Sequence, residues 1–176
     1  MALQQNQPEN YNILSPISYR LIIEKFPLLT FWCQTANIPG ISTTEGVHST
    51  PFREIPVIGE KIEFETLDVT MIVDEDLANF KEIMNWMTGF APVHDKKEHT
   101  EYLNTQYTTS TTTDYQNYLS DAILHVLTNS KGHNKEIIFH DIFPTSLGAI
   151  AFDSTGEVDP ITTDVSFQIK DYVIDG

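Results

Sequence analysis

Six histidines and 25 acidic side chains in 176 residues supply the raw material for metal binding or proton transfer. The densest group is His94-Asp95-Lys96-Lys97-Glu98-His99. Histidines five apart do not share a helical face as an i, i+4 pair does, and Lys96 and Lys97 repel a cation. A solvated charged loop is expected. His125, His133 and His140 flank a second patterned region without paired ligand spacing, and a satisfied or exposed imidazole fits each of them. Pro144-Thr145-Ser146-Leu147-Gly148 is neither a phosphate-binding loop nor a nucleophile elbow. Two acidic doublets, Glu65 with Asp68 and Asp74 with Asp76, have the composition of a glycosidase pair. The first reads as a strand surface and the second as a helix start. Cys33 is the only cysteine; in Phe31-Trp32-Cys33 it reads as a small buried hydrophobe. No catalytic residue, metal site or cofactor is expected.

Ten basic against 25 acidic residues leave a formal charge of −15. Binding to nucleic acid through its phosphates needs clustered Lys and Arg, so DNA recognition is excluded as a first reading. No apolar run approaches the roughly 20 residues that cross a bilayer, and Met1 to Asn10 has neither a basic nor an apolar leader region. One domain over residues 1–176 is expected, with residues 1–14 as a polar N-terminal tail.

The patterning that must position these residues is mostly of period two. Tyr19, Leu21 and Ile23 alternate with polar residues, and Phe31 to Ala36 is a second candidate strand ending at Ile38-Pro39-Gly40; the two suggest a hairpin. Residues 41–61 are polar and then proline-punctuated (Pro51, Pro56), which suits a sheet edge or an excursion. Lys61 to Val73 reads as a long strand whose apolar parity switches near Glu65-Thr66, predicting a bend. One helix is predicted after Asp74-Glu75-Asp76, which can cap it, ending by Gly89. Its core stripe reads Leu77, Phe80, Met84 and Met87 with Ile83 beside them, Asn79, Lys81, Glu82 and Asn85 pointing elsewhere and Trp86 at the margin but packed on the domain. Residues 93–121 are aperiodic and Thr-rich, a polar insertion. Ala122 to Thr128 and Glu136 to Ile142 flank Asn129-Ser130-Lys131-Gly132 as a hairpin. Gly148 to Phe152 and Thr163 to Val173 complete a mainly β pattern.

Three stretches, taken in order, resemble the tail tube protein family of contractile-tailed bacteriophages. They are Phe31-Trp32-Cys33-Gln34-Thr35-Ala36-Asn37-Ile38-Pro39-Gly40; Ile55-Pro56-Val57-Ile58-Gly59 with Phe64 to Glu75 and the helix bearing Trp86; and Ile142 to Asp153 followed by Val165-Ser166-Phe167-Gln168-Ile169 and Tyr172. The resemblance implies a β-sandwich or barrel-like subunit with one flanking α-helix and a long β-hairpin arm. It also implies hexameric rings, stacked into a tube that is a channel for genome delivery, in the virion of a phage whose proteins are made in the host cytoplasm.

On that footing residues 41–61 are the inter-subunit arm, with Phe52, Arg53, Ile55 and Val57 as its contact residues. Glu54, Glu60, Glu63 and Glu65 are the expected lumen-facing acids, since carboxylates repel passing phosphate. The implied partners are other copies of the chain, the tail sheath, tape measure and baseplate proteins, and double-stranded DNA in transit without specific binding. The lengthened arm and Thr-rich insertion leave a tube initiator or a terminal ring as the alternative. A metal-dependent hydrolase using His94 and His99, or a glycan-binding module using Trp32 or Trp86, are the readings from other classes.

Overall fold

In the computed structural model, residues 12–93, 118–153 and 159–175 are described. The order of elements is β1 (Tyr19–Ile23), α1 (Leu29–Trp32), β2 (Cys33–Ala36), β3 (Ile41–Ser49), β4 (Glu54–Phe64), β5 (Leu67–Ile72), α2 (Ala78–Phe90), β6 (Ser120–Leu127), β7 (His133–Leu147), β8 (Thr162–Gln168) and β9 (Asp171–Asp175). Seven strands form one antiparallel system in the order β1-β6-β7-β8-β5-β2, with β9 beside β7. Strands β3 and β4 pair only with each other.

The fifteen-residue β7 belongs to two leaves. Its first part lies between β6 and β9, while Phe143 to Leu147 pairs with β8. One leaf is therefore β1-β6-β7-β9 and the other β7-β8-β5-β2; we call the first the outer leaf and the second the inner leaf. Period-two alternation sends one face of each leaf inward. Leu21, Ile23, Leu124 and Phe139 from the outer leaf meet Leu67, Val69, Met71, Val165 and Phe167 from the inner one in a single buried cluster. Burial of each such side chain contributes about 1.5–3 kcal/mol.

The bend that passes β7 between leaves sits at Asp141, whose φ of 52° lies in the left-handed region that Asp tolerates better than most residues. Ser120 pairs with Ile142 and Ala122 with Phe139, so His140 and Asp141 together bulge opposite Asp121. Such bulges turn sandwich corners. The Asp141 amide donates to Asp121 Oδ1 at 3.1 Å, and Lys170 Nζ donates to Asp141 Oδ2 at 2.8 Å. These hydrogen-bonded and charged partners hold the Lys170 ammonium above the usual lysine range, with the Asp141 hydrogen bond the leading cause.

Helix α2 covers one end of the cluster. Its Trp86 ring lies 6.1 Å from Phe167 and its Phe90 ring 6.4 Å from Phe143, and Trp86 Nε1 donates to the Tyr118 carbonyl at 2.8 Å. The observed core stripe is Asn79, Ile83, Trp86 and Gly89, rotated by about one residue, or roughly 100°, from the one read in the sequence. Two side chains cause the rotation. Trp86 offers the larger apolar surface and has a partner for its N–H, which moves it from the margin to the centre. Asn79 is fully buried because its amide organises the entry turn: Nδ2 donates to the Ile72 carbonyl at 2.7 Å, and Oδ1 accepts from the Asp74 and Phe80 amides. Leu77 and Met84 are left exposed. No carboxylate of residues 74–76 caps the helix.

The residue at the N-cap is Leu77, at φ 55°. A bulky side chain there is strained by about 1–3 kcal/mol. Replacing Leu77 with Gly is therefore expected to raise stability by about 1 kcal/mol and Tm by about 2–4 °C. Thermal denaturation followed by circular dichroism checks this, and an unchanged or lower Tm counts against strain at this turn.

Other expectations are corrected by the structure. Phe31 and Trp32 close the short helix α1 and only Cys33 to Ala36 is strand, because Phe26 and Leu29 must turn inward to the core. β1 and β2 are not a hairpin; they pair with β6 and β5. Residues 148–152 are not a strand, since β7 itself runs to Leu147. The final segment divides at Lys170 into β8 and β9, which pair on different leaves. The parity switch at Glu65-Thr66 is where β4 ends and β5 begins.

Candidate assembly surfaces

Three surfaces of the subunit are unsatisfied within one copy. The first is the β3–β4 ribbon, whose eleven-residue strand spans about 35 Å at the usual rise per residue. Isolated two-stranded ribbons are marginal in water. One face aligns Ile41 with Phe64, Thr43 with Ile62, Glu45 with Ile58 and Val47 with Pro56; the other aligns Gly46 with Val57 and His48 with Ile55. Both faces are thus partly apolar, and Ile58 is 95% exposed. Only the base touches the core, where Phe64 packs edge-on against Tyr172 at 5.5 Å and Tyr172 Oη donates to the Pro39 carbonyl at 3.1 Å. Midway, the ladder is irregular between Thr43 and Glu45. Gly59 is required there, since a Cβ would overlap the Thr44 carbonyl.

The second surface is the outward face of the inner leaf. Residues 162–168 alternate so that Thr163, Val165 and Phe167 enter the core while Thr162, Asp164 and Ser166 face out. On β5 the outward residues include Asp68 and Thr70, aligned with Ser166 and Asp164, and on β2 Thr35 aligns with Thr70. Thr35, Asn37, Asp68, Thr70, Asp164 and Ser166 line a shallow groove of about 550 Å³ whose lining contains no Lys or Arg. The face is knit laterally: Thr70 Oγ1 donates to Asp164 Oδ1 at 2.7 Å, and the Asp68 amide donates to Asn37 Oδ1 at 2.7 Å. Its chemistry is that of a hydroxyl-lined polar face with two carboxylates.

The third surface is the pair of free borders of that leaf. Among the described residues β2 pairs only with β5, and Phe143 to Leu147 pairs only with β8. Unpaired strand borders recruit further strands unless they are covered.

The four glutamates singled out in the sequence are all exposed, but the fold does not gather them. Glu54 pairs with Ser49 at the ribbon tip and Glu63 with Ser42 near its base, roughly 30 Å apart along the strand. Glu60 lies in the irregular stretch, and Glu65 follows β4, with its carboxylate against Gly40. Phe52, Arg53, Ile55 and Val57 are exposed on the ribbon. Asp164 was not singled out from the sequence, although the alternation Thr162, Asp164, Ser166 carries the signal.

Nothing among the described residues assembles a reactive centre. No group of three His, Cys, Asp or Glu side chains could hold a metal ion there, and His94, His99 and the Thr-rich segment lie outside the described residues. His125 Nδ1 stands 3.3 Å from Glu136 Oε1, a pair bridging β6 and β7. Burial pushes the Cys33 thiol up, away from thiolate reactivity, and burial likewise pushes Tyr19 beside it up to about 12. Trp86 is buried and Trp32 half-buried, so neither offers an open platform for a sugar.

A family model described as phage tail tube protein matches residues 9–175. No curated protein matches. Among solved structures, a chain of the sheath-tube complex of an extracellular contractile injection system (PVC) in its extended state aligns with TM-score 0.60 at 12% identity, covering 96% of this chain and 94% of that one. A chain of the sheath/tube terminator of the same kind of system gives 0.57 at 13%, covering 96% and 100%. The tube-terminating cap of the anti-feeding prophage gives 0.60 at 10%, covering 99% and 99%. At these identities the likeness is one of fold.

Proposed function

The chain belongs to the phage tail tube protein family, whose members are structural proteins and not enzymes, and from that premise we propose that six copies close head to tail into a ring. The inner leaf supplies the wall: β2 of one copy meets Phe143 to Leu147 of the next, so that no border is left open. Rings stack into a tube through the β3–β4 arm, and the tube conducts a phage genome. Sheath, tape measure and baseplate proteins are the partners this reading requires, and the assembled particle is its location.

The observation that carries the reading is the cation-free outward face of the inner leaf. A duplex in transit meets Asp68, Asp164 and hydroxyls, which repel phosphate or leave it hydrated; Lys or Arg there would hold it by counterion release. Glu54, Glu60 and Glu63 add negative charge along the arm and Glu65 at its base. Negative-stain microscopy of concentrated protein is expected to show hollow rings or rods, and a monodisperse globule at every concentration would refute the proposal.

Converting the wall tests its charge. Tubes bearing Asp68→Lys and Asp164→Lys are expected to retain short duplex DNA at about 50 mM salt and release it by about 200 mM, whereas unaltered tubes retain none. Retention by both, or by neither, removes the wall assignment. The fold is equally close to that of a terminating cap, so a terminal ring is the second reading. Copy number in intact particles separates them, because a repeating subunit far exceeds one ring's worth.

A further inference from the structure

We propose that the tip of the β3–β4 arm is a preorganised aromatic–cation knob, Phe52-Arg53, that docks on the acidic turn Asp74-Glu75-Asp76-Leu77 of a second copy of this chain. The inference rests on the tube reading and names the contact by which one ring grips another.

The tip is built for presentation. Thr50 closes the turn on both sides: its amide donates to the Arg53 carbonyl at 3.0 Å, its hydroxyl donates to the same oxygen, and that hydroxyl accepts from the Arg53 amide at 3.2 Å. A turn fixed in this way loses little entropy on docking. Phe52 on it is 97% exposed, and Arg53 has no ion-pair partner among the described residues. Only Arg20 shares its residue type in a chain of charge −15. Phe and Arg belong to the aromatic and arginine side chains enriched at interfaces, and here they stand at the far end of a ribbon that contributes only its base to the core.

The turn before α2 offers the complement. Its three carboxylates do not cap the helix, Glu75 and Asp76 are exposed, and Leu77 stands exposed beside them. An aliphatic surface for the ring and carboxylates for the guanidinium thus adjoin in one short turn. Knob and turn occupy different parts of the subunit, so the contact is heterologous, and between rings stacked along one axis, where no rotation closes it, such a contact propagates from ring to ring. Charge complementarity between Arg53 and the acidic turn, both present in every copy, selects another copy as the occupant.

The test is a charge exchange in the full-length protein, read by the critical concentration for tube formation in negative stain and by sedimentation. Arg53→Glu is expected to raise that concentration at least about tenfold. Phe52→Ala is expected to raise it as well, and Arg53→Glu combined with Glu75→Arg and Asp76→Arg is expected to restore tubes. All these sites are exposed, so Tm should stay within about 2 °C of the unaltered protein. Tubes formed normally by Arg53→Glu and Phe52→Ala overturn the proposal while leaving the tube reading intact. So does failure of the combined exchange to restore assembly. An unaltered protein that never forms rings or tubes refutes the tube reading itself, and the knob contact with it.

Discussion

Replacing residues 43–62 with a two-residue Asn-Gly turn is expected to leave a folded subunit that no longer stacks into tubes at any accessible concentration. The excision keeps the Ile41–Phe64 and Ser42–Glu63 pairs, and Asn-Gly suits the tight turn that joins such strands. It also keeps the packing of Phe64 on Tyr172. What is lost is a ribbon whose side chains are nearly all exposed in a single copy, so the loss to the subunit's own stability is small. Its apolar faces gain burial only against another molecule, where even a modest covered area outweighs the ordering of a few side chains. Sedimentation and negative stain read the loss of assembly, and calorimetry reads the expected change in Tm of no more than a few degrees. Persistence of normal tubes, or a fall in Tm as large as that from a core deletion, contradicts the assignment of the arm.

The second large effect is expected at Phe167, where substitution by Ala should cost about 3–5 kcal/mol. The ring is fully buried near the end of β8, its residue aligned with Leu67 on one side and Pro144 on the other, and it lies against Trp86 of the covering helix. Its removal leaves a void that three elements share and none can fill alone. Against a total stability of about 5–15 kcal/mol, such a loss is about a fifth or more of what holds a domain of this size together. The expected fall in Tm is about 6–20 °C, and Trp86 emission reports the transition because its ring is adjacent. Ile58→Ala on the ribbon is the matched control, with an expected change within about 0.5 kcal/mol. Equal effects at the two positions contradict the assignment of core and arm.

Where period-two alternation is long and one-sided, the sequence specifies the element. β1, β5, β6 and β8 each bury alternate residues, and the turn between β6 and β7 is written in Asn129 to Gly132. Pairing partners were not legible in the same way. Nothing local in Tyr19 to Ile23 says that it aligns with Ala122 to Val126 across a hundred residues, and the proximity of β2 in the chain made a hairpin the nearer inference. The face of α2 was missed for a chemical reason. Asn79 looks like a surface residue until its amide is seen to satisfy Ile72, Asp74 and Phe80, which is the condition on which a polar group is buried. An excursion from the main sheet over the β3–β4 ribbon followed from its two prolines, a local signal. The acidic face of β5 and β8 did not, because Asp68 and Asp164 become neighbours only once the two strands pair.

The passage of β7 from one leaf to the other carries a mechanical consequence. Two layers held only by interlocked side chains can shear, as cards slide in a deck. Here a single covalent chain runs through the corner at Asp141, clamped by Lys170, so a tug on one leaf travels along peptide bonds to the other instead of across a slip plane. In the tube proposed above, such bricks let the cylinder be driven lengthwise while its inner and outer skins move as one.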